Sequence, residues 1–183
     1  MAFSKFLDPK LDLTFKKIFG TEKNKNILIH FLNDILGCTE VNTIQEIEFI
    51  STILNPEIAS ERQSIVDVLC RDSSGARYVI EMQLTRDKGF EKRAQLYAAK
   101  AYSRQLDKSG NYIDLKKIFF IAISNCNLLP EEVDYISSHT IRDEKTNEHD
   151  LKDFQFVFIE LPKFPNTNSH YTANRWTKME EKP

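Results

Sequence analysis

The sequence lacks the features that mark several classes of protein. It has three cysteines, Cys38, Cys70 and Cys126, without a Cys-x-x-Cys pair. This argues against a disulfide framework or a zinc site and is typical of a reducing cytosol. The longest apolar run, Ile118 to Ile123, is far too short to cross a bilayer, and the N-terminus has no apolar signal core. We therefore expect a cytoplasmic protein that makes no contact with a membrane.

Several motifs of common enzyme classes are also absent. The sequence has no P-loop, no GxGxxG, no GxSxG and no HExxH, and its four histidines show no metal-ligand spacing. There are no internal repeats. The formal net charge is −2, so no overall basic field indicates a nucleic-acid partner. Binding to DNA would therefore require a local basic patch or a bridging metal.

The length and composition are those of an ordinary soluble domain. The chain has 183 residues, of which 41% are apolar and 28% charged. After Pro162 the sequence becomes polar and rich in turn-forming residues. We therefore predict one domain at residues 1–164, followed by a poorly ordered or truncated tail at residues 165–183.

Hydrophobic periodicity predicts alternating helices and strands. Apolar residues recur at helical spacing in three segments, 12–19, 23–36 and 86–106. Strands are predicted at 43–53, 116–124 and 154–161, with a strand or irregular element at 133–141. A strand, a helix and a strand in succession favour a right-handed parallel crossover. The pattern predicts an α/β fold with a mixed β-sheet flanked by helices.

The most informative stretch is a predicted β-hairpin. Its strands cover residues 64–70 and 78–83, and the loop 73–75 joins them. Gly75 stands where a three-residue hairpin loop needs a left-handed residue. In this register Asp67 lies opposite Glu81, and strand alternation places Gln83 on the same face.

Two carboxylates directly opposed in a sheet repel each other, and burying them unpaired is costly. A divalent cation would compensate, since Mg²⁺ is typically held by one or two carboxylates with waters and phosphate oxygens. A solvated strand face with ordinary surface acids is the alternative. The hairpin alone leaves both open.

Basic residues follow the hairpin on the third predicted helix. Arg93, Lys100 and Arg104 form one stripe, and Lys88 and Lys92 lie near its start. This stripe is either a helix face exposed to solvent or a basic edge that binds the phosphates of DNA beside the acids. Asp12, in the first turn of the first helix, is likewise either a favourable helix-dipole charge or an acid directed at the hairpin.

Several segments together resemble the PD-(D/E)xK nuclease core, and more narrowly the PD-(D/E)xK nuclease family transposases related to recombination-promoting nucleases. The resemblance covers most of residues 8–164. The matching pieces are Asp12–Gly20, Ser64–Val68, Ile80–Gln83, the pair Arg93-x-x-x-Tyr97 and Phe158–Phe164.

This resemblance implies a restriction-endonuclease-like core and DNA cleavage that depends on Mg²⁺, with Mn²⁺ as a substitute. It implies that Asp67 and Glu81 are the metal ligands and that Asp12 is the acid of the first helix. Gln83 stands where the superfamily has a lysine, so water activation would rest more on the metal. Val66 replaces the proline of the motif. The tail keeps Trp176 without the leucines that usually accompany it.

The leading hypothesis is a metal-dependent DNA endonuclease. Its catalytic residues would be Asp67, Glu81, Gln83 and Asp12, and a homodimer is left open. DNA contacts are predicted for six basic residues, namely Lys16, Lys88, Lys92, Arg93, Lys100 and Arg104. The alternatives are an inactive nuclease-fold module that binds nucleic acid or protein, and a plain α/β domain with surface acids.

Overall fold

The structure is a computed structural model that describes residues 8–54, 64–106 and 110–165. Apart from Pro165, the predicted tail at 165–183 lies outside these residues. No helix in the described ranges is long and apolar enough to span a membrane.

A six-stranded mixed sheet forms the centre of the described chain, in the order β1-β2-β3-β4-β6-β5. The strands are β1 (Ile47–Phe49), β2 (Val68–Asp72), β3 (Arg77–Gln83), β4 (Ile118–Ser124), β5 (Ile136–Thr140) and β6 (Phe154–Glu160). The helices are α1 (Asp12–Phe19), α2 (Lys25–Leu36) and α3 (Phe90–Ser103). Short 3-10 turns lie at Glu22–Asn24, Tyr112–Asp114 and Leu161–Lys163. The predicted α/β class with a mixed sheet is confirmed.

The sheet is antiparallel at both edges and parallel in the middle. Strands β1, β2 and β3 pair antiparallel, β3, β4 and β6 pair parallel, and β5 pairs antiparallel with β6. Helix α3 makes the predicted crossover between β3 and β4. Because β4 lies inside the sheet and is covered on both faces, its apolar run is almost continuous.

Each face of the sheet carries its own core. On one face α1 and α2 bury Phe15, Leu28 and Leu32 against the sheet. On the other, Ala94 and Ala98 of α3 are fully buried, and their small side chains let the helix lie close to the strands. Burial of one large apolar side chain contributes about 1.5–3 kcal/mol, so both layers hold the sheet in place.

Several elements differ from their predicted bounds. The first hairpin strand, predicted at 64–70, is β2 at Val68–Asp72, because the chain before it makes only an isolated bridge between Ile65 and Ile53. Strand β1 and helix α3 are also shorter than predicted. Strand β1 covers only Ile47–Phe49, because the chain before it pairs with a helix side chain: Asn33 accepts from the N–H of Ile44 and donates to its carbonyl, at 2.8 and 2.9 Å. Helix α3 begins at Phe90 because Gly89 has a φ of 91°, which is incompatible with a right-handed helix. The last strand, β6, is the second strand from one edge of the sheet, and β5 is the outermost strand there.

Candidate active site

The β2–β3 hairpin has the predicted register. Val68 lies opposite Ile80, so Asp67, immediately before β2, lies opposite Glu81. The loop closes as expected, with Gly75 at a φ of 89° and its N–H donating to the Asp72 carbonyl at 3.0 Å. The structure therefore brings the two predicted metal ligands together at the open end of the hairpin.

Backbone hydrogen bonds hold the two carboxylates side by side. The N–H of Asp67 donates to Oε1 of Glu81 at 3.0 Å, and the N–H of Met82 donates to Oδ2 of Asp67 at 2.9 Å. Each acid thus accepts a hydrogen bond from the backbone of the opposite side of the hairpin. The backbone of the hairpin therefore orients both carboxylates directly.

Glu81 is only 7% exposed, and its surroundings disfavour a negative charge. Burial and, to a smaller extent, the charge of Asp67 together raise the pKa of Glu81 to about 8, against the opposing effects of the Asp67 N–H, Arg93 and Lys16. Near neutral pH the surrounding side chains therefore supply too little positive charge to keep both acids ionised. A cation at this position would compensate.

The donors fit a hard divalent cation. Carboxylate oxygens suit Mg²⁺ and Mn²⁺, and the two backbone hydrogen bonds use one oxygen of each acid. Within the described ranges, no group of three or more His, Cys, Asp or Glu side chains is placed to hold a metal. A metal bound by Asp67 and Glu81 would thus take its other ligands from water and phosphate, as Mg²⁺ usually does.

Asp12 reaches the acids only through a lysine. Lys16, one turn further along α1, places its Nζ 2.7 Å from Oδ1 of Asp12 and 3.2 Å from Oδ1 of Asp67. The hydrogen bond to Asp12 is the main reason that the pKa of Lys16 is raised, and Asp67 adds to it. Lys16, predicted to contact DNA, therefore lies at the paired acids as a stable cation.

Gln83 is buried and its amide is engaged within the chain. Its Oε1 accepts from Nη2 of Arg93 at 2.5 Å, and its Nε2 donates to the carbonyl of Thr85. Arg93 also pairs with Asp87 at 3.0 Å and lies over the ring of Phe90. Gln83 thus joins the end of β3 to the start of α3.

The other predicted DNA-binding residues divide into two groups. Lys88 and Lys92 are exposed. Lys100 donates to Oγ of buried Ser64 at 2.8 Å, and Arg104 donates to the carbonyl of Ile53 at 2.5 Å. Lys100 and Arg104 therefore join the C-terminal end of α3 to the bridged segments that contain Ser64 and Ile53. DNA contact stays a prediction for all six basic residues.

Sequence reasoning missed the contact between Lys16 and Asp67. The four-residue spacing from Asp12 to Lys16 does indicate an ion pair on one face of the helix. The second partner, Asp67, follows only from the packing of α1 on the sheet. The contacts of Lys100 and Arg104 likewise join residues that are 36 and 51 positions apart, and no local pattern in the sequence predicts them.

Comparison with known families agrees with the geometry. The sequence model of the PD-(D/E)XK nuclease family transposases matches residues 9–181, nearly the whole chain. The chain belongs to this family. No curated protein and no solved structure matches it significantly. The resemblance to this family that was noted in the sequence is therefore confirmed.

Proposed function

We propose that this PD-(D/E)XK family member is a metal-dependent endonuclease that hydrolyses phosphodiester bonds of DNA. The observation that carries the proposal is the opposed pair of Asp67 and Glu81, held by reciprocal backbone contacts in a chain of a nuclease family. A partly buried pair of carboxylates is costly unless a cation binds it. A bound metal ion would offset the free-energy cost of holding the two acids side by side.

The roles of the residues follow from their positions. Asp67 and Glu81 would hold Mg²⁺ or Mn²⁺, which polarises a phosphodiester and lowers the pKa of a bound water. Hydrolysis adds the water oxygen to phosphorus, breaks one P–O ester bond and leaves a proton on the departing oxygen. The exposed Lys88 and Lys92 follow β3 closely in sequence and would bind neighbouring phosphates of the DNA strand.

The test is cleavage of supercoiled plasmid with Mg²⁺ or Mn²⁺. Asp67→Asn and Glu81→Gln keep the shape of each side chain and remove its charge, so we expect nicking and linearisation to fall by about 100-fold or more. Glu131→Gln, which changes an exposed acid on a surface loop, is the matched control. Cutting by Asp67→Asn at the wild-type rate would rule out the paired acids as the site.

An inactive nuclease-fold module that binds nucleic acid or protein is the second candidate. The engagement of Gln83 with Arg93 and Thr85 favours it, because β3 then offers no polar group in place of the motif lysine. Calorimetry with Mn²⁺ separates the two proposals. The endonuclease requires metal binding that Glu81→Gln abolishes, whereas the inactive module requires none.

A further inference from the structure

One cationic side chain forms an ion pair with the paired acids in the described part of the chain. Nζ of Lys16 lies 3.2 Å from Oδ1 of Asp67, and no other lysine or arginine of the described residues forms an ion pair with Asp67 or Glu81. Given the proposed function, on which this inference rests, we infer that Lys16 is a catalytic residue. It shares Asp67 with the metal and donates to the phosphate that is cut.

The need for such a cation follows from the state of Gln83. An amide carries no charge, and both polar ends of this one are already bonded, to Arg93 and to Thr85. Phosphoryl transfer increases negative charge around phosphorus, and positioned cations stabilise that charge. Strand β3 supplies no such cation at position 83, so the cation must come from another element.

Lys16 is well placed to supply it. Helix α1 packs on the face of the sheet that bears Val68 and Ile80, which carries Lys16 to the open end of the hairpin. Its side chain is 39% exposed, so the ammonium group is accessible to an incoming phosphate. Asp12, at 2.7 Å, holds the ammonium from the opposite side and is a positioning residue.

Lys16 and a metal would bind the same carboxylate. Oδ2 of Asp67 accepts the N–H of Met82, and Lys16 contacts Oδ1, the oxygen that this N–H does not engage. Without DNA the ammonium group therefore competes with the metal for Asp67. When DNA is bound, a phosphate gives Lys16 a second anionic partner, and the competition is relieved.

This arrangement predicts two opposite effects of removing one charge. In Lys16→Gln without DNA, Mn²⁺ should bind about fivefold more tightly, since an ion pair that competes for the ligand is gone. Cleavage of plasmid by the same variant should fall about 100-fold, the usual loss when one donor to a transition-state oxyanion is removed. Lys16→Arg keeps the charge and should retain most of the cleavage. A purely structural role would not tighten metal binding.

Lys17→Gln is the matched control, because Lys17 is the exposed neighbour on the same helix. It should leave both the Mn²⁺ affinity and the cleavage rate unchanged. Thermal unfolding of each variant verifies the fold. If Lys16→Gln binds Mn²⁺ no more tightly than Lys17→Gln, or cuts at the wild-type rate, Lys16 does not have this role although the nuclease proposal stands. If the wild-type protein neither binds Mn²⁺ nor cuts DNA, both proposals fail.

Discussion

Removal of Lys163 should destabilise the protein strongly, because it leaves a buried carboxylate without its cation. Glu160, at the end of β6, is 0% exposed and lies 2.8 Å from Nζ of Lys163. The same carboxylate accepts the N–H groups of Leu128 and Leu129, at 2.5 and 3.0 Å. The pair thus fastens the loop that follows β4 to the end of β6.

The size of the expected loss of stability follows from the contacts that Lys163→Met would remove. The ammonium group also donates to the carbonyls of Leu129, Pro130 and Val133, at 3.2, 2.6 and 3.2 Å. Breaking a buried ion pair by deleting one partner typically costs about 3–5 kcal/mol. For a domain of this size the melting temperature falls by about 2–4 °C per kcal/mol, so we expect a decrease of about 10 °C.

Urea denaturation of Lys163→Met at neutral pH measures the loss, with Lys152→Met, at an exposed lysine, as the matched control. Adding Glu160→Gln to Lys163→Met should recover part of the stability, since the amide keeps an acceptor for the loop N–H groups and removes the unpaired charge. A loss of less than about 1 kcal/mol, the value for surface ion pairs, would refute the reasoning.

Three further predictions concern stability and reactivity away from the candidate site. Burial raises the pKa of Cys70 to about 12, so in the folded protein at pH 8 iodoacetamide should leave it unmodified by mass spectrometry, and labelling as fast as in urea would contradict this. The hydrogen bond to Asp153 raises the pKa of Tyr102 to about 12, so the stability that this bond contributes should be present below pH 10 and lost as the pH rises towards 12. Denaturant titrations across that range should show this slope, and Tyr102→Phe should reduce it. Gly75→Ala should cost about 1–2 kcal/mol in the same assay, because the residue has a φ of 89° and a new Cβ would lie 3.0 Å from Lys116; an unchanged midpoint would show that the loop can change conformation.

The parts of the site that the sequence predicted were those that local rules determine. The hairpin register follows from the loop length and from Gly75, and the opposition of Asp67 and Glu81 follows from the register. Helix α1 was predicted with its observed bounds because an apolar face and Gly20 delimit it. The parallel crossover through α3 was predicted from the order of the elements alone.

The parts that could not be predicted depend on which helix face meets which strand end. Periodicity placed Lys100 and Arg104 on one stripe of α3, but it could not show that both side chains would reach back to the segments around Ser64 and Ile53. Gln83 could be placed on the face of the acids, yet its bond to Arg93 depends on how α3 begins after Gly89. In each case a long polar side chain found a partner that only tertiary packing provides.

Contacts from the hairpin and from α1 fix Asp67, which lies just outside regular secondary structure. Its own N–H is bonded to Glu81 across the hairpin, and its carboxylate is bonded to Met82 and to Lys16 of α1. Lys100 of α3 also binds Ser64, three residues earlier in the same segment. A carboxylate constrained in this way loses little conformational freedom when it binds a ligand, as the proposed metal site requires. Because the contacts come from α1, α3 and the sheet together, the whole fold, and not the hairpin alone, positions the candidate site.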